Sequence, residues 1–214
     1  MKRLVIIGLV LAVAILASGC ASYTTKFVNT AQVDNNKLVK DNSNDILVVA
    51  FPILTEKDSK DYFDENLIRK GVLAVYLNIL NIASGDINLV NSTLSVQSGN
   101  KEFAPLPVEK VYGYIKRGYG ARAIFWLSIT YGVGGPVSAA LTKSTNNKIE
   151  EDLQAKMLKL GNIKSKESIQ GFLWFKLSDD AMSEQNAKLA LKLTFEQNGK
   201  SIVKDLSFLV PKAD

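Results

Sequence analysis

Histidine is absent from the sequence, and cysteine occurs only once, at Cys20. These absences exclude an intrachain disulfide, a zinc site of cysteine and histidine ligands, a Ser-His-Asp triad and a Cys-His catalytic pair. A domain without disulfides depends on its hydrophobic core for stability. A glycosidase with two catalytic carboxylates remains open as an enzyme class, because its mechanism needs neither histidine nor cysteine.

Long runs of basic residues are also absent. The chain has 26 Lys and Arg against 21 Asp and Glu, and removing Lys2 and Arg3 with a leader would leave 24 against 21, a net charge of +3. This balance predicts no binding of nucleic acid. The glycines of residues 132–136 lack the spacing of a dinucleotide fingerprint, and no Gly-Lys-Ser/Thr closes a phosphate loop. We therefore expect no nucleotide, no other cofactor and no metal site.

The first twenty residues have the pattern of a secretion signal. A basic start, Met1-Lys2-Arg3, precedes fourteen uncharged and mostly apolar residues, 4–17, and Ala17-Ser18-Gly19-Cys20 closes the segment. The apolar run is shorter than the roughly 20 residues of a membrane-spanning helix, and small residues precede Cys20. The pattern predicts cleavage before Cys20 rather than a spanning segment.

This pattern resembles the lipobox of bacterial lipoproteins, although Ala17 stands where leucine is commonest and Leu16 lies one place further from the cysteine. The resemblance implies that residues 1–19 are removed. It also implies that Cys20 carries a thioether-linked diacylglycerol and an amide-linked acyl chain such as palmitate, which anchor the mature chain to a membrane of the cell envelope. Ala21, in the place of an aspartate, points to the outer membrane, facing the periplasm or the cell surface.

Residues 20–45 have the composition of a flexible tether. They are rich in Asn, Thr, Ser, Lys and Asp, with only scattered apolar residues. Such a segment buries too little apolar surface to fold by itself. We expect a lipidated N-terminus and tether over 20–45, with at most one weak edge strand, and a single folded domain over 46–214.

Short strands separated by turns occupy both ends of this domain. Residues 71–81 show the clearest alternation, and Asn198-Gly199 is the strongest hairpin signal. Further expected strands are residues 46–51, stopped by Pro52, and residues 87–90, 93–97, 169–177, 189–195 and 202–210. Strands at a spacing of about ten residues predict an antiparallel sandwich. The charged segment 57–70 is expected to be a loop or a single helical turn.

The middle of the chain, about residues 107–160, interrupts the strand pattern. Residues 107–117 predict a short helix, and residues 142–160 repeat apolar residues at three- and four-residue intervals. A Gly-rich stretch, 132–136, lies between them. The sequence thus predicts an α+β, mainly β chain: an antiparallel β-sandwich with a central Gly-rich, helical insertion.

The arrangement resembles immunoglobulin-like lipoproteins of bacterial envelopes. The residues that carry the resemblance are 71–81, a strand ending in an Asn-rich turn, and Gly161, Gly171, Phe172 and Phe175, which follow a "G…GF…F" pattern. These motifs cover about half of the mature chain. The resemblance implies an immunoglobulin-like sandwich and assigns no activity.

Tyrosines and cations interleave just before the longest uncharged segment of the domain, 123–141. Amphipathic rings and long cationic side chains suit the headgroup level of a membrane, and they suit the rim of a sandwich equally well. The candidate contacts with a membrane or a partner are Tyr112, Tyr114, Lys116, Arg117, Tyr119, Arg122 and Trp126.

Segment 123–141 has two interpretations. Its glycines and Pro136 would break a single spanning helix, so a hairpin buried against the sandwich is the preferred one. The alternative is an exposed surface that docks onto a partner or inserts into a membrane. A tryptophan in its first half, Trp126, would be buried in the first case and exposed in the second.

The acidic residues available to a glycosidase are Glu109, the run Glu150-Glu151-Asp152 and the pair Asp179-Asp180. None of them belongs to a recognisable motif, and solvated carboxylates are the preferred interpretation. We therefore expect a lipid-anchored envelope protein with a non-enzymatic binding or scaffolding role at the membrane surface, acting with an envelope protein partner. The alternatives are an enzyme acting on cell-wall glycan with paired carboxylates and a protein that inserts residues 123–141 into a membrane.

Overall fold

The computed structural model describes residues 23–117, 134–178, 188–197 and 199–209. They belong to two compact units. The larger unit contains the described residues of Thr25–Ile115 and those from Leu153 onward, and the smaller contains Tyr23, Thr24, Lys116, Arg117 and residues 134–152. The leader and Cys20 lie outside the described residues.

The larger unit is an immunoglobulin-like antiparallel β-sandwich, which confirms the predicted fold class. Sheet A has the order β1-β2-β3-β7, and sheet B has the order β5-β4-β8-β9 with the short β6 beside β4. The strands are β1 (Val39–Ser43), β2 (Ile46–Ile53), β3 (Val72–Asn81), β4 (Ile87–Ser98), β5 (Lys101–Phe103), β6 (Asn162–Ile163), β7 (Ser168–Lys176), β8 (Lys188–Gln197) and β9 (Lys200–Leu209). In both sheets a strand from before the insertion pairs with one from after it, as β3 with β7 and β4 with β8.

The core lies between the two sheets. Alternate residues of β3 enter it from sheet A, and alternate residues of β8 enter it from sheet B, as the predicted period of two requires. These side chains, at most 2% exposed, are Leu73, Val75, Leu77, Ile79, Leu189, Leu191, Leu193 and Phe195. The other face of β3 is also largely buried, with the Tyr76 ring packed against Phe172.

In the part of the chain that the structure describes, three α-helices lie outside the sheets: α1 (Glu56–Phe63), α2 (Val108–Ile115) and α3 (Gly134–Lys156). Two of them, α2 and α3, fall between β5 and β6 in the chain, so the expected helical insertion is present. Helix α2 matches the prediction for 107–117. The structure moves α3 from the expected 142–160 to an earlier start and end. Pro136 is tolerated in the first turn of α3 because its missing N–H would have no helical partner there.

Helix α1, with eight residues, is longer than the loop or single helical turn expected over residues 57–70. The Thr55 hydroxyl accepts a hydrogen bond from the Asp58 backbone N–H at 3.1 Å, and this cap begins the helix. Phe63, at its end, is fully buried. A short 3-10 helix, Ile68–Lys70, follows. The many charged residues of this segment favoured the prediction of a solvated loop, although one face of the helix, with Ser59 and Phe63, is buried.

The outer face of sheet A carries a second apolar layer. Its rings come from β2, β3, β7 and α1, and the tightest pair, Phe63 and Phe172, has ring centroids 4.9 Å apart. The other rings are Phe51, Tyr62, Tyr76 and Trp174. Helix α1 therefore covers this part of sheet A as the second sheet covers its inner face.

Two strands also differ from their predicted bounds. Strand β2 continues through Pro52, because its pairing with β1 reaches only to Ala50 and the remainder behaves as an edge, where proline is tolerated. Strand β4 joins the two strands predicted at 87–90 and 93–97. Its register with β8 shifts between Asn88 and Thr93.

The folded domain begins earlier in the chain than residue 46. Strand β1, within the expected tether, pairs residue by residue with β2 from Val39↔Ala50 to Ser43↔Ile46. A 3-10 helix, Asn35–Lys37, precedes it. The sequence predicted at most one weak edge strand in this segment. Residues nearer the N-terminus also contact the folded unit, as the Lys26 backbone does at Asp61.

Candidate functional site

Helix α2 holds the first predicted contact residues. Its buried side chains, Val108, Val111 and Ile115, fix one face of the helix, whereas Tyr112 and Tyr114 are half-buried. Lys116 is exposed and Arg117 is half-buried just after the helix. The remaining predicted residues, Cys20, Tyr119, Arg122 and Trp126, lie outside the described residues, as does the first half of segment 123–141.

Two lysines gather at Tyr114. The Lys70 ammonium donates to the Tyr114 carbonyl oxygen and lies 3.3 Å from the Glu65 carboxylate. The Lys176 ammonium donates to the Lys70 carbonyl oxygen at 2.6 Å and lies 5.8 Å from the centre of the Tyr114 ring. Both lysines remain partly accessible. The structure thus forms a tyrosine and lysine surface here, and two of its members, Lys70 and Lys176, were missed by sequence reasoning because they come from distant segments.

In the smaller unit, Asn146 fixes the backbone of Arg117. Its side-chain oxygen accepts from the Arg117 N–H at 2.7 Å, and its amide donates to the Arg117 carbonyl at 3.1 Å. Asn146 is only 2% exposed. This bidentate contact holds the Arg117 backbone against α3.

Lys156, the last residue of α3, is a buried cation on the outer side of sheet A. It is 4% exposed, and its ammonium donates to the Tyr62 carbonyl and to the Thr25 hydroxyl, both at 2.7 Å. The rings of Phe27 and Phe63 lie 5.4 Å and 5.7 Å from it. Ring faces and carbonyl oxygens are favourable partners for a desolvated ammonium.

The residues around Lys156 attach the N-terminal segment to α1. The Lys26 backbone N–H donates to the Asp61 carbonyl at 2.9 Å, and the Lys26 ammonium lies 2.9 Å from the Asp61 carboxylate. The hydrogen bond with Asp61 raises the pKa of Lys26. In the smaller unit, the Tyr23 hydroxyl donates to the Asp152 carboxylate at 2.7 Å. The described part of the expected tether is therefore bound to folded structure.

A second buried lysine, Lys204, joins the two sheets at β1 and β9. Its ammonium donates to the Asp41 carboxylate at 2.7 Å, to the Ser43 carbonyl at 2.6 Å, to the Ser43 hydroxyl and to the Ile46 carbonyl at 3.3 Å. The hydrogen bond with Lys204 lowers the pKa of Asp41. Because Asp41, Ser43 and Ile46 all belong to the β1–β2 hairpin, Lys204 acts as a clamp between β9 and that hairpin.

Glu109, Glu150 and Glu151, carboxylates available to a glycosidase, are exposed on their helices. Asp152 accepts from Tyr23, and the pair 179–180 lies outside the described residues. One cavity lined by described residues, about 550 Å³, is open and has one carboxylate, Asp45, in its lining. A second of about 100 Å³, on the outer face of sheet A, is lined by Leu47, Val49, Asn78, Leu80 and Ser168. Neither brings two carboxylates together.

Among the described residues, no three Asp or Glu side chains gather in a way that could hold a metal ion. No helix in the same part of the chain is both long and apolar enough to cross a membrane.

No protein-family model and no curated protein matches this sequence. Among solved structures, the chain is similar to the GAE domain of yeast GGA1, with 11% identity, a TM-score of 0.39, and coverage of 82% of this chain and 99% of that one. It is similar to the GAE domain of GGA2p from Saccharomyces cerevisiae with 8% identity and a TM-score of 0.35, over 82% of this chain and 97% of that one. It is also similar to a DUF4426 family protein from Pseudomonas aeruginosa with 8% identity and a TM-score of 0.34, over 85% of this chain and 100% of that one. None of the three is described as an enzyme, and similarities with such TM-scores carry no argument about function.

Proposed function

We propose that the protein is a lipid-anchored protein of the bacterial cell envelope, with a non-enzymatic binding or scaffolding role at the membrane surface. The observation that carries the proposal is the basic start, the short apolar run and the sequence Ala17-Ser18-Gly19-Cys20. Two or three acyl chains supply enough buried methylene groups, at about 0.8 kcal/mol each, for stable anchoring without a spanning helix. Ala21 favours the outer membrane as the site of the anchor.

The described surface supports a binding role better than a catalytic one. The carboxylates Glu109, Glu150 and Glu151 lie exposed on helices, and the cavity linings bring no two carboxylates together. The tyrosine and lysine surface at Tyr114 instead offers rings and cations, which suit a headgroup or an acidic partner. We assign the partner contact to this surface.

The test of the anchor is metabolic labelling with an alkyne fatty acid in a bacterial host. Wild type should become labelled and float with membranes, whereas Cys20→Ser should be unlabelled and either soluble or trapped as a precursor. The double variant Cys20→Ser/Ser22→Cys is the matched control, because it keeps a cysteine two residues from the lipobox position and should also remain unlabelled. Equal labelling of wild type and Cys20→Ser would overturn the proposal.

A further inference from the structure

The chain joins the larger unit very soon after the proposed anchor. Thr25, five residues after Cys20, is held by the buried Lys156 ammonium, and Lys26 is held by both its backbone and its side chain at Asp61. Lys156 is at the same time fixed by the Tyr62 carbonyl and by the Phe63 ring. The attachment point therefore belongs to the folded unit and is built around a cation with 4% exposure.

The distance from Cys20 to this attachment is short. Five residues span at most about 18 Å when fully extended, at roughly 3.3–3.6 Å per residue. The tether expected from composition, 25 residues long, would reach about 85 Å on the same basis. The headgroup region itself is only about 5–8 Å thick on each side of the hydrocarbon. An anchor at Cys20 thus keeps Thr25 within about 10–13 Å of the headgroup layer even when the connection is fully extended.

The surface around the attachment has side chains that fit a headgroup layer. Phe27 is 71% exposed, although it is a large apolar residue, and lies two residues after Thr25. The side chains of Lys26 and Lys60 are 66% and 61% exposed. The α1 carboxylates nearby are paired with cations: Asp61 with Lys26, and Asp58 with Lys37 at 2.7 Å. Pairing of these carboxylates reduces their repulsion from anionic lipid.

We propose that the surface formed by Thr25, Lys26, Phe27 and the exposed side of α1 lies directly on the bilayer that holds the Cys20 lipid, with the Phe27 ring in the headgroup layer. This inference rests on the proposed lipid anchor. It makes the lipoprotein a membrane-apposed domain rather than one carried on a long tether. The outer face of sheet B, on the opposite side of the sandwich, then faces the aqueous compartment and its partners.

The test uses the full lipidated protein in vesicles of phosphatidylethanolamine and phosphatidylglycerol that contain a nitroxide-labelled lipid. Lipidation consumes the thiol of Cys20, the only cysteine, so an introduced cysteine can be labelled with a fluorophore uniquely. Phe27→Cys reports on the proposed contact. Val203→Cys is the control, since Val203 is 48% exposed on the outer face of sheet B. We expect several-fold stronger quenching by the nitroxide lipid at position 27 than at position 203.

A second variant separates the short connection from other causes. A flexible Gly/Ser insert of about 20 residues between Ser22 and Tyr23 has a root-mean-square length of roughly 25 Å and should reduce quenching at position 27 to the level at position 203. Equal quenching at positions 27 and 203 in the uninserted protein, with the protein still floating with the vesicles, would overturn this inference and leave the anchor intact. Failure to float or to carry lipid would overturn both the anchor and the inference.

Discussion

Lys156 and Lys204 are both buried, yet they connect different parts of the larger unit through different partners. Lys204 lies between the sheets, where a carboxylate, a hydroxyl and two carbonyl oxygens surround its ammonium. Lys156 lies outside sheet A, where a carbonyl, a hydroxyl and two aromatic rings contact it. The first stabilises the sandwich itself, and the second attaches the N-terminal segment to it.

The different partners of the two lysines indicate how much each side chain contributes to stability. The Lys204 side chain is fully buried and the Asp41 side chain is 25% exposed, so removing Lys204 leaves a partly desolvated carboxylate and two carbonyl oxygens without their shared donor. The contacts described for Lys156 are with neutral oxygens and aromatic rings, and a neutral dipole costs less to leave without its partner than a carboxylate does. The core clamp should therefore be the more sensitive of the two, and the attachment should be separable from folding.

The largest effect is expected for Lys204→Ala. The change leaves Asp41 and the carbonyls of Ser43 and Ile46 without their shared donor, so we expect a loss of about 3–5 kcal/mol in the free energy of unfolding, measured by urea denaturation. The double variant Lys204→Met/Asp41→Leu removes both charges and should recover most of the loss. A single variant with wild-type stability would contradict the clamp.

A smaller effect is expected for Lys156→Ala, about 2–3 kcal/mol, since packing of the side-chain stem and two hydrogen bonds are lost. Lys156→Met keeps a stem of similar size and should cost only about 1 kcal/mol. Both variants should speed hydrogen exchange at the Lys26 N–H, which donates to Asp61. Unchanged exchange at Lys26 in both variants would show that Lys156 does not hold the segment.

Gly171→Ala tests the packing beside Lys156. A Cβ added at Gly171 would lie 2.5 Å from the Leu158 backbone nitrogen, just after the end of α3. Because that contact is with backbone, we expect a loss of about 1–3 kcal/mol from overpacking. Gly161→Ala is the matched control, since an added Cβ there meets no atom within 4 Å. Similar unfolding free energies for the two variants would argue against the close approach of β7 and residue 158.

The smallest effect is the acid dependence of the clamp. The hydrogen bond from Lys204 lowers the pKa of Asp41 in the folded protein. Its contribution to stability is therefore complete above the unfolded-state pKa of about 3.9 and is lost as the pH falls through the lower folded value. Asp41→Asn should flatten this part of the curve of unfolding free energy against pH below about 4. If the curves of unfolding free energy against pH were parallel for wild type and Asp41→Asn, Asp41 would not contribute to the acid dependence of stability.

The parts of the fold that sequence predicted are those with a local signal. Alternation specified β3 and β8, and the turn glycine Gly199, with a φ of 73°, joins β8 to β9 as the Asn-Gly signal indicated. Asn198 lies outside the described residues. Register Gln197↔Lys200 agrees with a two-residue connection.

The missed features depend on contacts between distant segments. Composition predicted a tether because the contacts of Thr25 with Lys156 and of Lys26 with Asp61 join residues that are far apart in the sequence. Both buried lysines nevertheless stand in phase with apolar neighbours. Lys156 follows Ile149 and Leu153 on one helix face, and Lys204 alternates with Leu206 and Phe208. A lysine at a position where the helix or strand period places an apolar residue could therefore have predicted that Lys156 and Lys204 are buried. The cap of α1 had a signal as well, Thr55 three residues before Asp58.

The most direct test of the central claim is mass spectrometry of the N-terminal peptide of the protein purified from bacterial membranes. The account predicts that residues 1–19 are absent and that the peptide begins at Cys20 with its thiol linked to a diacylglycerol and its amine acylated. Recovery of an unmodified Cys20, or of a chain that retains Met1, would contradict the anchor and the close apposition to the bilayer that depends on it.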